Sequence, residues 1–150
     1  MTSQVAVFAA VFAALYAAHS FGDHWVQTHR QACAKAAPDR SGRLACAGHV
    51  ATLTLTKAAA VGVVIVVTGL PLSPLALLLG LAVDAVSHYW ADRRVTLARL
   101  AEVIGKGDFY RMGAPRPGAD DAPHLGTGAY ALDQSWHHLW LFIAALIIAS

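Results

Sequence analysis

The sequence predicts an all-α fold, a four-helix transmembrane bundle that forms one integral membrane domain over residues 1–150. Two observations carry this prediction. The chain is 57% hydrophobic and only 13% charged, whereas a soluble domain is usually about 25% charged. Its apolar stretches are also long, and a membrane-spanning helix needs roughly 20 mostly apolar residues. This composition excludes an ordinary soluble domain, and we expect no nucleic-acid partner.

Four apolar segments are long enough to cross a bilayer. Residues 2–22, 58–83 and 134–150 carry no formal charge, and Pro71 with Pro74 divides the second of these runs between two helices. The first segment is expected to be retained as a span, because no Lys or Arg precedes its apolar run as in a signal peptide. The predicted spans lie at about residues 4–27, 45–69, 73–93 and 129–149.

Positively charged side chains are concentrated in two connections. Ten of the eleven Lys and Arg residues follow the first or the third span, and the turn at residues 69–74 has none. Because positively charged loops stay in the cytoplasm, we expect both termini outside and a long cytoplasmic loop between the third and fourth helices. The predicted location is a bacterial inner membrane. Cys33 and Cys46 then face a reducing compartment, and we expect free thiols.

Each predicted span carries its ionisable residues at one end. On three of the spans a carboxylate and an imidazole are four residues apart, a spacing that puts both on one helical face. In an up-down bundle all these ends lie on the same side of the membrane, here the cytoplasmic side. The polar residues concerned are His19, Asp23, Gln27, His49, Asp84, His88, Asp92, Asp133, Gln134 and His137.

This combination of residues predicts a divalent metal site. Imidazole together with carboxylate suits zinc, manganese or iron, and helical bundles build metal sites from such side chains on facing helices. The candidate ligands are His19, Asp23, His49, His88, Asp133 and His137. The innermost are expected to be Asp23, His88, Asp133 and His137. A relay of protons or ions and a purely structural hydrogen-bond network are the alternatives.

The other polar residues of the spans are expected at different depths in the membrane. His19 and Gln27 lie about 12 Å apart along the helix axis, as do Asp84 and Asp92. One ion therefore cannot bind both residues of either pair. His19 and Asp84 are expected to lie deeper, and Gln27 and Asp92 nearer water. Lys57 lies near the middle of the membrane, and an inward Lys57 needs a carboxylate, for which Asp84 is the deepest candidate. Asp84 or Asp92 is also the candidate general base.

The polar motifs resemble a family of small bacterial and phage membrane proteins. The matching segments are H-S-F-G-D-H-W-V-Q-T from His19, the single His49, D-A-V-S-H-Y-W-A-D from Asp84 and L-D-Q-S-W-H-H from Leu132. The family is catalogued as domain of unknown function 3307. The resemblance spans nearly the whole chain and implies a small polytopic protein with a shared polar centre. It implies no activity.

The loop at about residues 95–127 has two parts. The segment V-T-L-A-R-L-A-E-V-I-G-K has helical spacing and is expected to lie on the membrane surface. The Gly- and Pro-rich part that follows is expected to be irregular. It is a solvated linker, or a lid in which Arg111 and Arg116 meet a phosphate. We expect His124 to be exposed there.

The function expected from these residues is that of a divalent-metal-dependent hydrolase with its site at the cytoplasmic end of the bundle. Its expected substrate is lipid-linked or amphipathic. Such an ion would polarise a carbonyl or phosphoryl group and lower the pKa of bound water. The alternatives are a proton- or metal-ion transporter or relay and a non-catalytic membrane adaptor whose basic loops bind anionic lipid. Membrane lipids are the expected partners, and a homo-oligomer is left open.

Overall fold

The computed structural model describes residues 3–116, 118 and 126–150, and this part of the chain is helical without any strand. The predicted all-α class is confirmed. The helices are α1 Gln4–Phe21, continued by a π-helical turn Gly22–Val26, then α2 His29–Ala34, α3 Arg40–Thr68, α4 Pro74–Asp92, α5 Val95–Val103, α6 Gly107–Arg111 and α7 Gly128–Ala149.

Oxygen-bearing side chains fix the start of every long helix. Each accepts a hydrogen bond from a backbone N–H in the first turn, a group that has no partner within the helix. These capping residues are Ser3, Asp39, Ser73 and Thr127. Because Asp39 caps α3, that helix begins at Arg40 and not near residue 45. Gly69 ends α3 in the left-handed conformation, with φ of 68°, which glycine adopts readily.

Within the residues that the structure describes, three helices are long and apolar enough to cross a membrane, namely Gln4–Val26, Arg40–Thr68 and Pro74–Asp92. They coincide with the first three predicted spans, and they indicate a membrane protein. The helix α7 is also long, with 22 residues. Its first half carries Asp133, Gln134, His137 and His138, which lower its mean hydropathy.

The four long helices contact one another in a ring. The helix α1 packs against α3 and α7, and α4 packs against the same two helices. Neighbours run in opposite directions, because the last turns of α1 and α4 meet the first turns of α3 and α7. Aliphatic side chains fill the half of the interior away from these polar turns, including Val11, Leu15, Val61, Leu81, Leu141 and Ile148.

The described part of the connection between α4 and α7, residues 93–116, 118 and 126–127, contains two short helices. In α5, Leu97 and Ala101 are buried one turn apart while Arg99 is exposed, so the helical pattern predicted there is confirmed. The helix α6 replaces the start of the segment that we expected to be irregular. Arg111 in α6 pairs with Glu102 and Asp108, so its guanidinium is engaged by carboxylates. His124 lies outside the described residues.

Candidate metal centre

Buried imidazoles and carboxylates from α1, α3, α4 and α7 converge at one end of the helix ring. The exposed fractions are 1% for His19, 0% for His49, 1% for His88 and 2% for His137. Gly22 in the π-helical turn allows this convergence, because a Cβ there would collide with the Leu53 side chain of α3. The turn can therefore bring its polar residues directly against α3.

Four potential ligand atoms meet at the centre of this cluster. His49 Nε2 lies 3.1 Å from Asp23 Oδ1, 3.2 Å from His88 Nε2 and 3.4 Å from Asp92 Oδ2. His88 Nε2 lies 3.2 Å from Asp92 Oδ2 and 3.9 Å from Asp23 Oδ1. A tetrahedral zinc ion with bonds of about 2.0–2.1 Å separates its ligands by about 3.3–3.4 Å. These five separations, 3.1–3.9 Å, scatter around this spacing, and the ligand atoms of Asp23, His49 and His88 all lie within 4.8 Å of one another.

The chemistry of the four atoms fits a cation. A carboxylate oxygen can only accept, and an imidazole nitrogen offers a lone pair unless it is protonated. Asp23 Oδ1 and Asp92 Oδ2 are buried, and neither has a hydrogen-bond partner of acceptable geometry among the described residues. A buried acceptor oxygen without a hydrogen-bond donor is costly. Asp23, His49, His88 and Asp92 are therefore the residues that would hold a divalent ion.

Each of the two carboxylates gives its other oxygen to a basic side chain. Asp23 Oδ2 lies 3.4 Å from His19 Nε2, and Asp92 Oδ1 lies 2.9 Å from Lys35 Nζ. Such outer contacts orient metal ligands. Lys35 was expected only as a basic loop residue. The signal for its position is the pair Thr28 and Gln31, a capping box that starts α2 and could have predicted the short helix leading to Lys35.

The structure changes which residues lie innermost. The expected inner set was Asp23, His88, Asp133 and His137. Asp92 was expected nearer water, but it is 2% exposed and central, because Lys35 covers the end of α4. Asp133 lies instead at the rim, with its side chain 25% exposed and its Oδ1 3.4 Å from His137 Nε2.

The rim of the site contains the remaining polar residues of α7 and the π-helical turn. Gln134 Nε2 donates to Asp133 Oδ2 over 3.4 Å. Gln27 is half-buried, and its Nε2 lacks a hydrogen-bond partner within the part of the chain that the structure describes. Burial, more than the nearby Asp133 charge, raises the pKa of the Tyr110 hydroxyl in α6. Tyr110 is therefore a neutral group beside the rim.

A buried ion pair lies below the cluster. Lys57 Nζ donates to Asp84 Oδ2 over 2.6 Å, and the two side chains are 0% and 3% exposed. The sequence predicted this partner for Lys57, and the prediction is confirmed. Because Lys57 holds its carboxylate, Asp84 is poorly suited to the role of general base that we expected for it.

The two cysteines lie outside this arrangement. Both are free thiols, as predicted. Cys33 is exposed, and the buried Cys46 directs its Sγ towards the carbonyl oxygen of Tyr89 at 3.8 Å.

Comparison of the chain with models of known protein families, with curated proteins and with solved structures finds no match. The resemblance to domain of unknown function 3307 stays a prediction.

Proposed function

We propose that this is an inner-membrane protein of bacteria in which α1, α3, α4 and α7 form a four-helix transmembrane bundle with both termini outside. Three of these helices meet the length and hydropathy of a span, and α7 packs against two of them. The two connections rich in Lys and Arg lie at the end of the bundle that carries the polar cluster. Positively charged loops remain cytoplasmic, so the cluster faces the cytoplasm.

The bundle binds one divalent ion of zinc, manganese or iron. The observation that carries this proposal is the convergence of Asp23 with His49 and His88, whose ligand atoms lie within 4.8 Å of one another, together with the approach of Asp92 to both histidines. Charge supports it as well. The carboxylates in and around the cluster outnumber the ammonium groups by two, and one divalent ion cancels that excess. The groups counted are Asp23, Asp84, Asp92, Asp133, Lys35 and Lys57.

The activity that this centre supports best is hydrolysis of a lipid-linked or amphipathic substrate. A divalent ion supplies polarisation of a carbonyl or phosphoryl group and a lowered pKa of bound water. Asp133 is the most exposed carboxylate of the site, so it is the side chain best placed to accept the proton of the attacking water. His137 contacts Asp133 and orients it.

The surface beside the site suits an aliphatic chain. A groove of about 550 Å³ between α4 and α7 is lined by apolar and aromatic side chains, including Val83, Val86, Trp90 and Trp136. Its volume is in the range of ligand sites, about 300–1,000 Å³. Trp136 precedes His137 in α7, so one end of the groove lies at the level of the site along the bundle axis.

Transport of protons or metal ions is the second candidate, and the buried pair of Lys57 and Asp84 favours it. The aliphatic core opposes it, because Val11, Val61 and Ile148 occupy the interior beyond that pair. An ion that crosses such a layer without polar partners meets a free-energy barrier of several kcal/mol. The polar site is therefore accessible from one face of the membrane only.

The hydrolase is tested in nanodiscs made from a bacterial lipid extract, with Mn²⁺ or Zn²⁺ added and every lipid class followed by mass spectrometry. Wild type and His24→Ala should consume one lipid class and release its hydrolysis products, and His88→Ala should not. His24 is an apt control because it follows Asp23 but is exposed. Unchanged lipids with metal-loaded wild type would contradict a lipid hydrolase.

Transport is tested in proteoliposomes. We expect no proton or Mn²⁺ flux above that of empty vesicles. Reproducible flux that disappears in Asp84→Asn would defeat the hydrolase and favour the transporter.

A further inference from the structure

Asp92 presents its two oxygens to two different positions. Oδ2 faces the centre formed with His49 and His88, at 3.4 Å and 3.2 Å from their Nε2 atoms. Oδ1 faces Lys35 Nζ at 2.9 Å and His137 Nε2 at 3.9 Å. A carboxylate that serves a cation with each oxygen is a feature of two-metal sites, whose ions lie about 3.5–4 Å apart.

The second position has a ligand set of its own. It comprises Asp92 Oδ1, His137 Nε2 and Asp133 Oδ1, and the last two atoms lie 3.4 Å apart. His137 is 2% exposed, and its Nε2 has no hydrogen-bond partner among the described residues. A buried imidazole nitrogen that faces two carboxylates without a hydrogen bond can serve as a ligand for a cation.

The ammonium group of Lys35 already stands beside this position. The Lys35 side chain is only 11% exposed, unlike a surface lysine. Its backbone is also fixed, because the Arg93 guanidinium donates to the carbonyl oxygens of Lys35 and Ala37. Arg93 follows Asp92 in sequence, so the segment after α2 is tied to the end of α4 by two neighbouring side chains.

We propose that Lys35 takes the place of a second metal ion, so that the centre holds one divalent ion and becomes dinuclear when the lysine is removed. This inference rests on the proposed metal centre. One divalent ion cancels the two excess negative charges counted around the cluster, and a second ion would leave two positive charges buried. Loss of Lys35 lowers that positive excess and frees Asp92 Oδ1 to bind a metal ion together with His137 and Asp133.

The experiment loads purified protein with Mn²⁺ and measures both the bound manganese and its electron paramagnetic resonance spectrum. Wild type should bind one ion with the spectrum of an isolated Mn²⁺. Lys35→Met should bind two ions with an exchange-coupled spectrum. Lys106→Met, which removes an exposed lysine of the cytoplasmic loop, and Lys35→Arg, which keeps the charge, should bind one ion.

A second substitution tests where the additional ion lies. Adding Asp133→Ala to Lys35→Met should return the count to one ion. Two ions in wild type would overturn the proposal even if no Lys35 variant folds, and one ion in helical, monodisperse Lys35→Met would overturn it as well. Absence of manganese from every protein would instead defeat the metal centre itself, so the two failures are distinguishable.

Discussion

Replacing one residue of the buried ion pair Lys57–Asp84 should destabilise the protein more than replacing both residues. Their side chains are 0% and 3% exposed, and the nitrogen and oxygen are 2.6 Å apart. Asp84→Leu leaves an ammonium group buried without a partner, and such a change costs about 3–5 kcal/mol. Replacing both residues by apolar side chains removes both desolvation penalties, so it is neutral or stabilising by up to about 4 kcal/mol. The double variant Lys57→Met/Asp84→Leu should therefore be more stable than either single variant.

A double-mutant cycle measures this coupling through reversible unfolding in mixed micelles titrated with sodium dodecyl sulfate. The coupling energy should be about 2 kcal/mol or more. Arg111→Met is the comparison, because Arg111 and Glu102 are each 56% exposed and exposed pairs contribute less than about 1 kcal/mol. A coupling energy below about 0.5 kcal/mol, or an Asp84→Leu variant as stable as Arg111→Met, would refute the reasoning.

Orientation and helix packing give further predictions. In a cysteine-free background, Pro38→Cys and Ala114→Cys should react with an impermeant maleimide only after permeabilisation, and Pro71→Cys should react in intact cells. The reverse pattern would invert the bundle and place the polar cluster outside. A Cβ at Gly80 would collide with α7, so Gly80→Ala should lower the unfolding free energy by about 1–3 kcal/mol. Gly62 faces open space, and Gly62→Ala should be neutral or stabilise α3 by up to about 1 kcal/mol. Equal effects of the two alanines would contradict the packing of α4 on α7.

The helices and the depth of Lys57 could be predicted from sequence because both depend on local quantities. Hydropathy and length located the three described helices that are long and apolar enough to span a membrane, and the axial rise placed Lys57 at the level from which it reaches Asp84. The turn between α3 and α4 followed from Gly69, Pro71 and Pro74. These features need no knowledge of how the loops fold.

The centre of the site could not be predicted because it depends on a loop that returns over the helix ends. Axial distance alone placed Asp92 near water. In the structure α2 brings Lys35 over Asp92, which becomes buried and central while Asp133 stays at the rim. The π-helical turn also changes the direction of Asp23 relative to a regular helix, an effect that the i,i+4 spacing does not reveal.

Elemental analysis of protein purified in detergent distinguishes a metal centre from a network of hydrogen bonds. Wild type and His24→Ala should each contain, or take up, one ion of zinc, manganese or iron per chain. Loss of an outer contact alone lowers metal affinity by about 10–100-fold. His88→Ala and Asp92→Ala each remove a ligand, so each should lower the affinity by more than that. Wild-type protein that is free of metal and binds none of the three ions would contradict the proposed centre, as would an Asp92→Ala variant with wild-type affinity.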